Sequence, residues 1–76
     1  MKALDLIGWV SPICLLKFQQ AMELLECDCR LEVSIQDPDV LADIRRLIAH
    51  AGHQIDAVHH DPDRIRVVVQ KRRQPT

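Results

Sequence analysis

At 76 residues the chain has room for a single domain, because a second hydrophobic core cannot be assembled from what the first leaves over. Ten basic side chains against eleven acidic ones exclude the strong electrostatic footprint of an autonomous nucleic-acid binder. The longest apolar runs, such as Ile13 to Leu16 and Val67 to Val69, fall far short of the ~20 residues that cross a bilayer, so a soluble protein without a membrane role is expected.

A domain of this size buries only about 60% of its unfolded surface, and no staple is evident. Cys14, Cys27 and Cys29 are an odd number with no secretory leader ahead of them, which points to a reducing cytoplasm. In chain order, Leu4 and Leu6 alternate with Ala3 and Asp5, a short first strand that ends at Gly8, a residue free to turn. Ser11-Pro12 then reads as a helix start, serine capping free amides and proline taking the first helical position. Leu15, Phe18, Met22 and Leu25 recur at spacings of three and four, with Ala21 and Leu24 widening the stripe into one buried face.

From Arg30 the period is two: Leu31, Val33 and Ile35 point one way, and Arg30, Glu32, Ser34 and Gln36 the other. Asp37-Pro38 repeats the cap-then-proline signal, and Leu41, Ile44, Leu47, Ile48 and Ala51 form a second stripe that stops at Gly52. Ile55, Ala57 and Val58, the turn His60-Asp61-Pro62-Asp63, and Ile65, Val67 and Val69 read as a hairpin. The expected fold is α+β: a two-layer α/β sandwich of order βαβαββ, with a four-stranded mixed sheet and two helices on one face. The domain is placed at residues 1–71, with 72–76 a basic, flexible tail. Lys71-Arg72-Arg73 reads as part of such a solvated run.

Asp5-x-x-Gly8-Trp9-x-Ser11-Pro12-Ile13-Cys14 resembles the D-x-x-G-L-x-C-P-x-P opening of the TusA, SirA and YedF-like proteins. Gln36-Asp37-Pro38 resembles that family's D-D-P, Asp43-Ile44 its D-I, Gly52-His53 its G-H or G-N, and Lys71 stands near its closing lysine. The resemblance thus covers nearly the whole chain. It implies a sulfur carrier whose motif cysteine, at the start of the first helix, accepts sulfur as a persulfide from a cysteine desulfurase or rhodanese-type donor. A downstream relay protein then receives it, for tRNA thiolation, sulfur oxidation or related traffic. No cofactor is implied.

The motif has a physical basis: at a helix N-terminus, unpaired amides and the positive dipole end favour a thiolate or persulfide anion. In this chain Ser11 stands at the nucleophile position, Cys14 at the second proline and Trp9 at the leucine. A hydroxyl forms no persulfide, and no neighbouring His or Lys activates it, so Ser11 reads as a plain N-cap. The sequence leaves open whether serine is native there or replaces a cysteine. With Ser11 as cap, Cys14 is the third helical residue, within reach of the dipole, and is a candidate substitute thiol; core packing is the competing reading.

Two functions follow. One is a TusA-type sulfur relay with an altered acceptor site; the other is a non-catalytic binding or regulatory module that keeps the docking surface, with Trp9, Pro12, Asp37 and Pro38 as motif or docking residues. Trp9 reads equally as an exposed anchor or as the lid of a small core. Cys27-Asp28-Cys29 stands where the family more often has a proline-glycine turn, and its role is open. About 20 Å separates it from Cys14 at ~1.5 Å per helical residue, so no shared metal site is expected, nor do His50, His53, His59 and His60 show ligand spacing. His50 and His53 read as imidazolium partners of the second helix's negative end. Direct nucleic-acid binding is not expected, since the strand faces offer Glu32 and Asp56 and no stacking aromatics.

Overall fold

Each change of period in the sequence becomes a change of element: β1 (Lys2–Asp5), α1 (Ile13–Leu24), β2 (Arg30–Ile35), α2 (Pro38–Ala51), β3 (Gln54–His60) and β4 (Ile65–Gln70). The computed structural model describes residues 2–72. The strands form one mixed sheet in the order β1-β2-β4-β3. β1 runs parallel to β2, with Leu4 opposite Val33, and the β2–β4 and β4–β3 pairs are antiparallel. The βαβαββ sandwich expected from the sequence is the fold observed.

The core lies between the sheet and both helices. Leu31, Val33 and Ile35 of β2 and Ile65, Val67 and Val69 of β4 are buried, beneath Phe18 and Met22 of α1 and Ile44 and Ile48 of α2. The intervening strand residues Glu32, Ser34 and Arg66 are half-buried on the other face. There, Arg66 holds Asp61 at 2.6 Å and Arg30 holds Asp56 at 2.7 Å. The register shifts between Ile55 and Ala57 of β3, a bulge that the alternation of the sequence does not announce.

The two helices are terminated differently. For α2, the Asp37 carboxylate accepts from the Asp39 amide at 2.9 Å, and Pro38 occupies the first turn. At its other end Gly52 takes φ 77°, with Gly52 N–H donating to Ala49 O at 3.3 Å and His53 N–H to Ile48 O at 3.0 Å. This is the paired bonding of a Schellman stop. For α1 the expected serine cap is absent: Pro12 is the boundary residue and makes no side-chain cap bond. Backbone replaces it, because Cys14 N–H donates to Val10 O at 3.1 Å and Leu15 N–H to Pro12 O at 3.1 Å. Cys14 is therefore the second helical residue rather than the third.

The buried stripe of α1 is Cys14, Phe18 and Met22, followed by Leu25. Leu15 is half-buried at its margin, and Leu24, assigned to the stripe by spacing, is 81% exposed. The α1 carbonyl end is closed from a distance, by Lys71, whose Nζ donates to Met22 O at 2.7 Å and Glu23 O at 3.3 Å. Lys71 N–H also donates to Cys29 O at 3.0 Å, and Asp28 N–H to Lys71 O at 2.7 Å. Lys71 is half-buried and Arg72 exposed, and both are hydrogen-bonded to the fold: Arg72 N–H donates to His53 Nδ1 at 3.1 Å and its guanidinium to Gln54 Oε1 at 2.9 Å. Arg73 and the rest of the expected tail lie outside the described residues.

Two outcomes follow for stability. At Gly52 the space for a Cβ is open, so Gly52→Ala pays only for its left-handed backbone, and urea unfolding should show a loss of roughly 1–2 kcal/mol. His53 is the second case. Burial first, and then the Lys71 ammonium, hold its pKa below the ordinary value, so it is the neutral ring, not the expected imidazolium, that the fold favours. The unfolded chain consequently takes up a proton below about pH 6.5 that the folded chain resists. The contribution is full above that pH and is lost as pH falls through the lowered folded value. Denaturation midpoints should therefore drop between neutral and mildly acidic pH, and His53→Gln should flatten that slope.

Candidate functional site

The loop from β1 to α1 is shaped by two residues of the sequence motif. Asp5 Oδ1 accepts from Ile7 N–H at 2.9 Å, turning the chain as soon as the strand ends. Trp9 N–H then donates to Leu6 O at 3.2 Å, closing a four-residue turn in which Gly8 has φ 87°, the conformation that the third position of a type II turn requires. This delivers Trp9, Val10 and Ser11 to the start of α1, where the Ser11–Pro12 bond is cis. Because β1 and β2 are parallel, the start of α2 lies at the same end of the sheet as the start of α1.

Between these two helix starts is a pocket of about 230 Å³, lined among others by Gly8, Trp9, Cys14, Ile35, Asp37 and Val40. Of the residues singled out in the sequence, Trp9, Cys14 and Asp37 are brought together there, whereas Ser11, Pro12 and Pro38 are exposed and do not line it. Cys14 is 1% exposed, its thiol packed into the core rather than presented. Trp9 is 49% exposed and does not close the core. The Lys17 ammonium lies 4.1 Å from its ring centroid, a cation–π contact that fixes the indole on the surface.

Sequence reasoning passed over Val10, Ile13 and Leu16, which are exposed and apolar and extend the Trp9 surface along α1. Their signal was present, since Ile13 and Leu16 lie off the spacing of the buried stripe and have no core position to fill.

The remaining cysteines lie elsewhere. Cys27 and Cys29 are both free and exposed. Cys27 lines a groove of about 460 Å³ together with His50, His53, Lys71 and Arg72. Cys29 lines another, of about 540 Å³, with Lys2 and Arg30. Among the described residues no three His, Cys, Asp or Glu side chains converge to hold a metal ion, and no helix is long and apolar enough to cross a membrane.

A mixed four-stranded sheet under two helices, with both helix starts meeting over a pocket at the ends of the parallel strands, defines a small α+β sandwich of the kind foreseen from the motif. The sequence model of the sulfurtransferase TusA family matches residues 2–71, and the chain belongs to that family of sulfur-relay proteins. The fold is similar to that of a SirA-like protein from Desulfitobacterium hafniense, seen in its crystal structure. The TM-score is 0.80 at 22% sequence identity, over 96% of this chain and 100% of that one. No curated protein matches the chain.

The three thiols should separate cleanly under labelling. In the native protein an alkylating reagent is expected to modify Cys27 and Cys29 rapidly. Cys14 should react at least about a hundredfold more slowly, as for a site that needs ~3 kcal/mol of local opening. Peptide mass mapping over a time course distinguishes them.

Proposed function

We propose that the chain serves sulfur relay as a docking module: a sulfur-donor protein, a cysteine desulfurase or rhodanese-type protein, seats on the surface around Trp9, Ser11 and Pro12, and a downstream relay protein is engaged in turn. The observation that carries this reading is the run of exposed apolar side chains, Trp9, Val10, Ile13 and Leu16, surrounding the position at which the family bears its reactive cysteine. A rigid, half-exposed indole flanked by aliphatic groups supplies the large contact area that anchors an interface. Asp37 and Pro38 contribute by fixing the neighbouring helix start. Ser11, a hydroxyl with no activating base, holds no sulfur in this scheme.

A second reading keeps Cys14 as the sulfur acceptor. It is supported by the placement of Cys14 beside Trp9 and Asp37 in the pocket between the helix starts, and it requires the pocket to open, since the thiol is enclosed.

Titration calorimetry with the cognate desulfurase tests the docking reading. Trp9→Ala should weaken binding about tenfold or more, the ~1.4 kcal/mol or greater expected of an aromatic anchor, while leaving the circular dichroism spectrum intact. Unchanged affinity would sink it. Ser11→Cys, exposed at the same helix start, should gain one sulfur atom at position 11 when desulfurase and cysteine are supplied, read by intact mass before and after thiol reductant.

A further inference from the structure

Sulfur relay needs a thiol that partners can reach, and the helix-start site does not present one: Ser11 is a hydroxyl and Cys14 is 1% exposed. The accessible thiols are Cys27 and Cys29, and they flank a single residue. Cys29 N–H donates to Glu26 O at 3.1 Å, so residues 26–29 form a hydrogen-bonded turn with Cys27 and Cys29 on either side of Asp28. Asp28 has φ 67°, the left-handed region that a non-glycine residue seldom enters. Cα atoms two residues apart on either side of a turn residue lie about 5–6 Å apart, from the backbone dimensions. That lies inside the ~4.4–6.8 Å range of disulfide-linked cysteines.

The turn is not free to relax. Asp28 N–H donates to Lys71 O at 2.7 Å, Lys71 N–H to Cys29 O at 3.0 Å, and the Gln70 side chain to Asp28 O at 3.3 Å. These bonds clamp the middle and the far side of the turn to the end of β4. The surroundings differ between the two thiols. The Cys27 groove carries the cations Lys71 and Arg72 against the single acid Glu23, a setting that draws anionic substrates to that sulfur. The Cys29 groove sets Lys2 and Arg30 against Glu26 and Asp28. Two thiols supply half of a structural zinc set, and among the described residues no further ligands join them, so the arrangement suits thiol exchange rather than metal binding.

We infer that Cys27 and Cys29 are a redox-active dithiol that takes sulfane sulfur from a persulfide, with Cys27 attacking and Cys29 resolving. The inference rests on the relay reading for its biological setting, and it places the sulfur chemistry on a different part of the surface from the docking face. In the first step the Cys27 thiolate attacks the terminal sulfur of R–S–SH. The donor S–S bond breaks, the R–S⁻ leaving group takes up a proton, and Cys27 carries the persulfide. In the second step the Cys29 thiolate attacks Cys27 Sγ, the bond to the outer sulfur breaks, and hydrosulfide leaves and is protonated. The sum is R–S–SH plus two thiols giving R–SH, hydrogen sulfide and the Cys27–Cys29 disulfide: the sulfane sulfur is reduced and the two thiols are oxidised. A dithiol reductant returns the pair by exchange. Where a relay protein intercepts the Cys27 persulfide before the second step, its own thiolate attacks the outer sulfur and the chain acts as a carrier.

The test is anaerobic incubation of the reduced full chain with cysteine persulfide, which needs no protein docking and so is indifferent to the Trp9 surface. Sulfide release and intact mass are followed together. The wild-type protein should release one sulfide per chain while losing the mass of two hydrogens. Cys29→Ser should stop at one added sulfur on Cys27, removable by thiol reductant, with sulfide release at least tenfold slower. Cys27→Ser should show release slowed to a similar degree. Wild-type rates of sulfide release from the Cys27→Ser, Cys29→Ser double variant, or from Cys29→Ser without an accumulating persulfide, would overturn the inference. Unchanged desulfurase affinity in Trp9→Ala beside an intact persulfide reaction would overturn the docking reading and leave this inference standing, whereas the expected loss of affinity without a persulfide reaction would leave only the docking reading.

Discussion

Two parallel strands cannot be joined by a hairpin, so between β1 and β2 the chain has to travel back across the sheet before it can run in the same direction again. α1 is that return path, and much of the molecule's arrangement follows from it. The crossover lays α1 on one face of the sheet, α2 packs on the same face, and the two helix starts meet over the strand ends, as sites do in open α/β sheets. The pairing of Leu4 with Val33 thereby decides that Trp9 and Asp37, well separated in sequence, line one pocket. The short turn set by Asp5 and Gly8 makes the change of direction compact.

The opposite end of the molecule depends on Lys71. Helix α1 stops without a glycine; Leu25 N–H closes back on Ala21 O and Met22 O, and the ammonium delivered from beyond β4 adds a donor to Met22 O and Glu23 O. A lysine there serves both hydrogen bonding and the negative end of the helix dipole. The backbone of the same residue grips the 26–29 turn, so one position joins the end of the sheet, the end of the first helix and the Cys27-Asp28-Cys29 segment. In the 26–29 turn the left-handed backbone is supplied by Asp28. A short polar side chain tolerates that conformation better than most, and it leaves the two flanking positions available for cysteine.

The two ends of α1 expose different chemistry. The helix start carries the exposed apolar side chains Trp9, Val10 and Ile13, whereas the exposed thiols lie beyond the far end of α1. Serine at position 11 and the burial of Cys14 are physically compatible. With backbone carbonyls of Val10 and Pro12 satisfying the first amides, the second helical residue points into the core beside Phe18, and a small, weakly polar thiol fits there without needing a hydrogen-bond partner.

Much of this was legible in the residues themselves. Alternation in 30–36 and 65–70 determined two strands and their buried faces, the Asp37-Pro38 and Gly52 signals determined the limits of α2, and the D-x-x-G spacing determined the first loop. These are local rules, in which the identity of a residue sets its own backbone or its neighbours'. The exposure of Leu24, the replacement of the Ser11 cap by backbone, the enclosure of Cys14, the neutral state favoured at His53 and the anchoring of Lys71 were decided only by the tertiary structure. Each depends on a group distant in sequence or on the exact rotation of α1 about its axis. Helical spacing specifies that a stripe exists, but with apolar residues at 13, 14, 15, 16 and 18 several stripes compete. Only contact with the sheet selects the one that begins at Cys14.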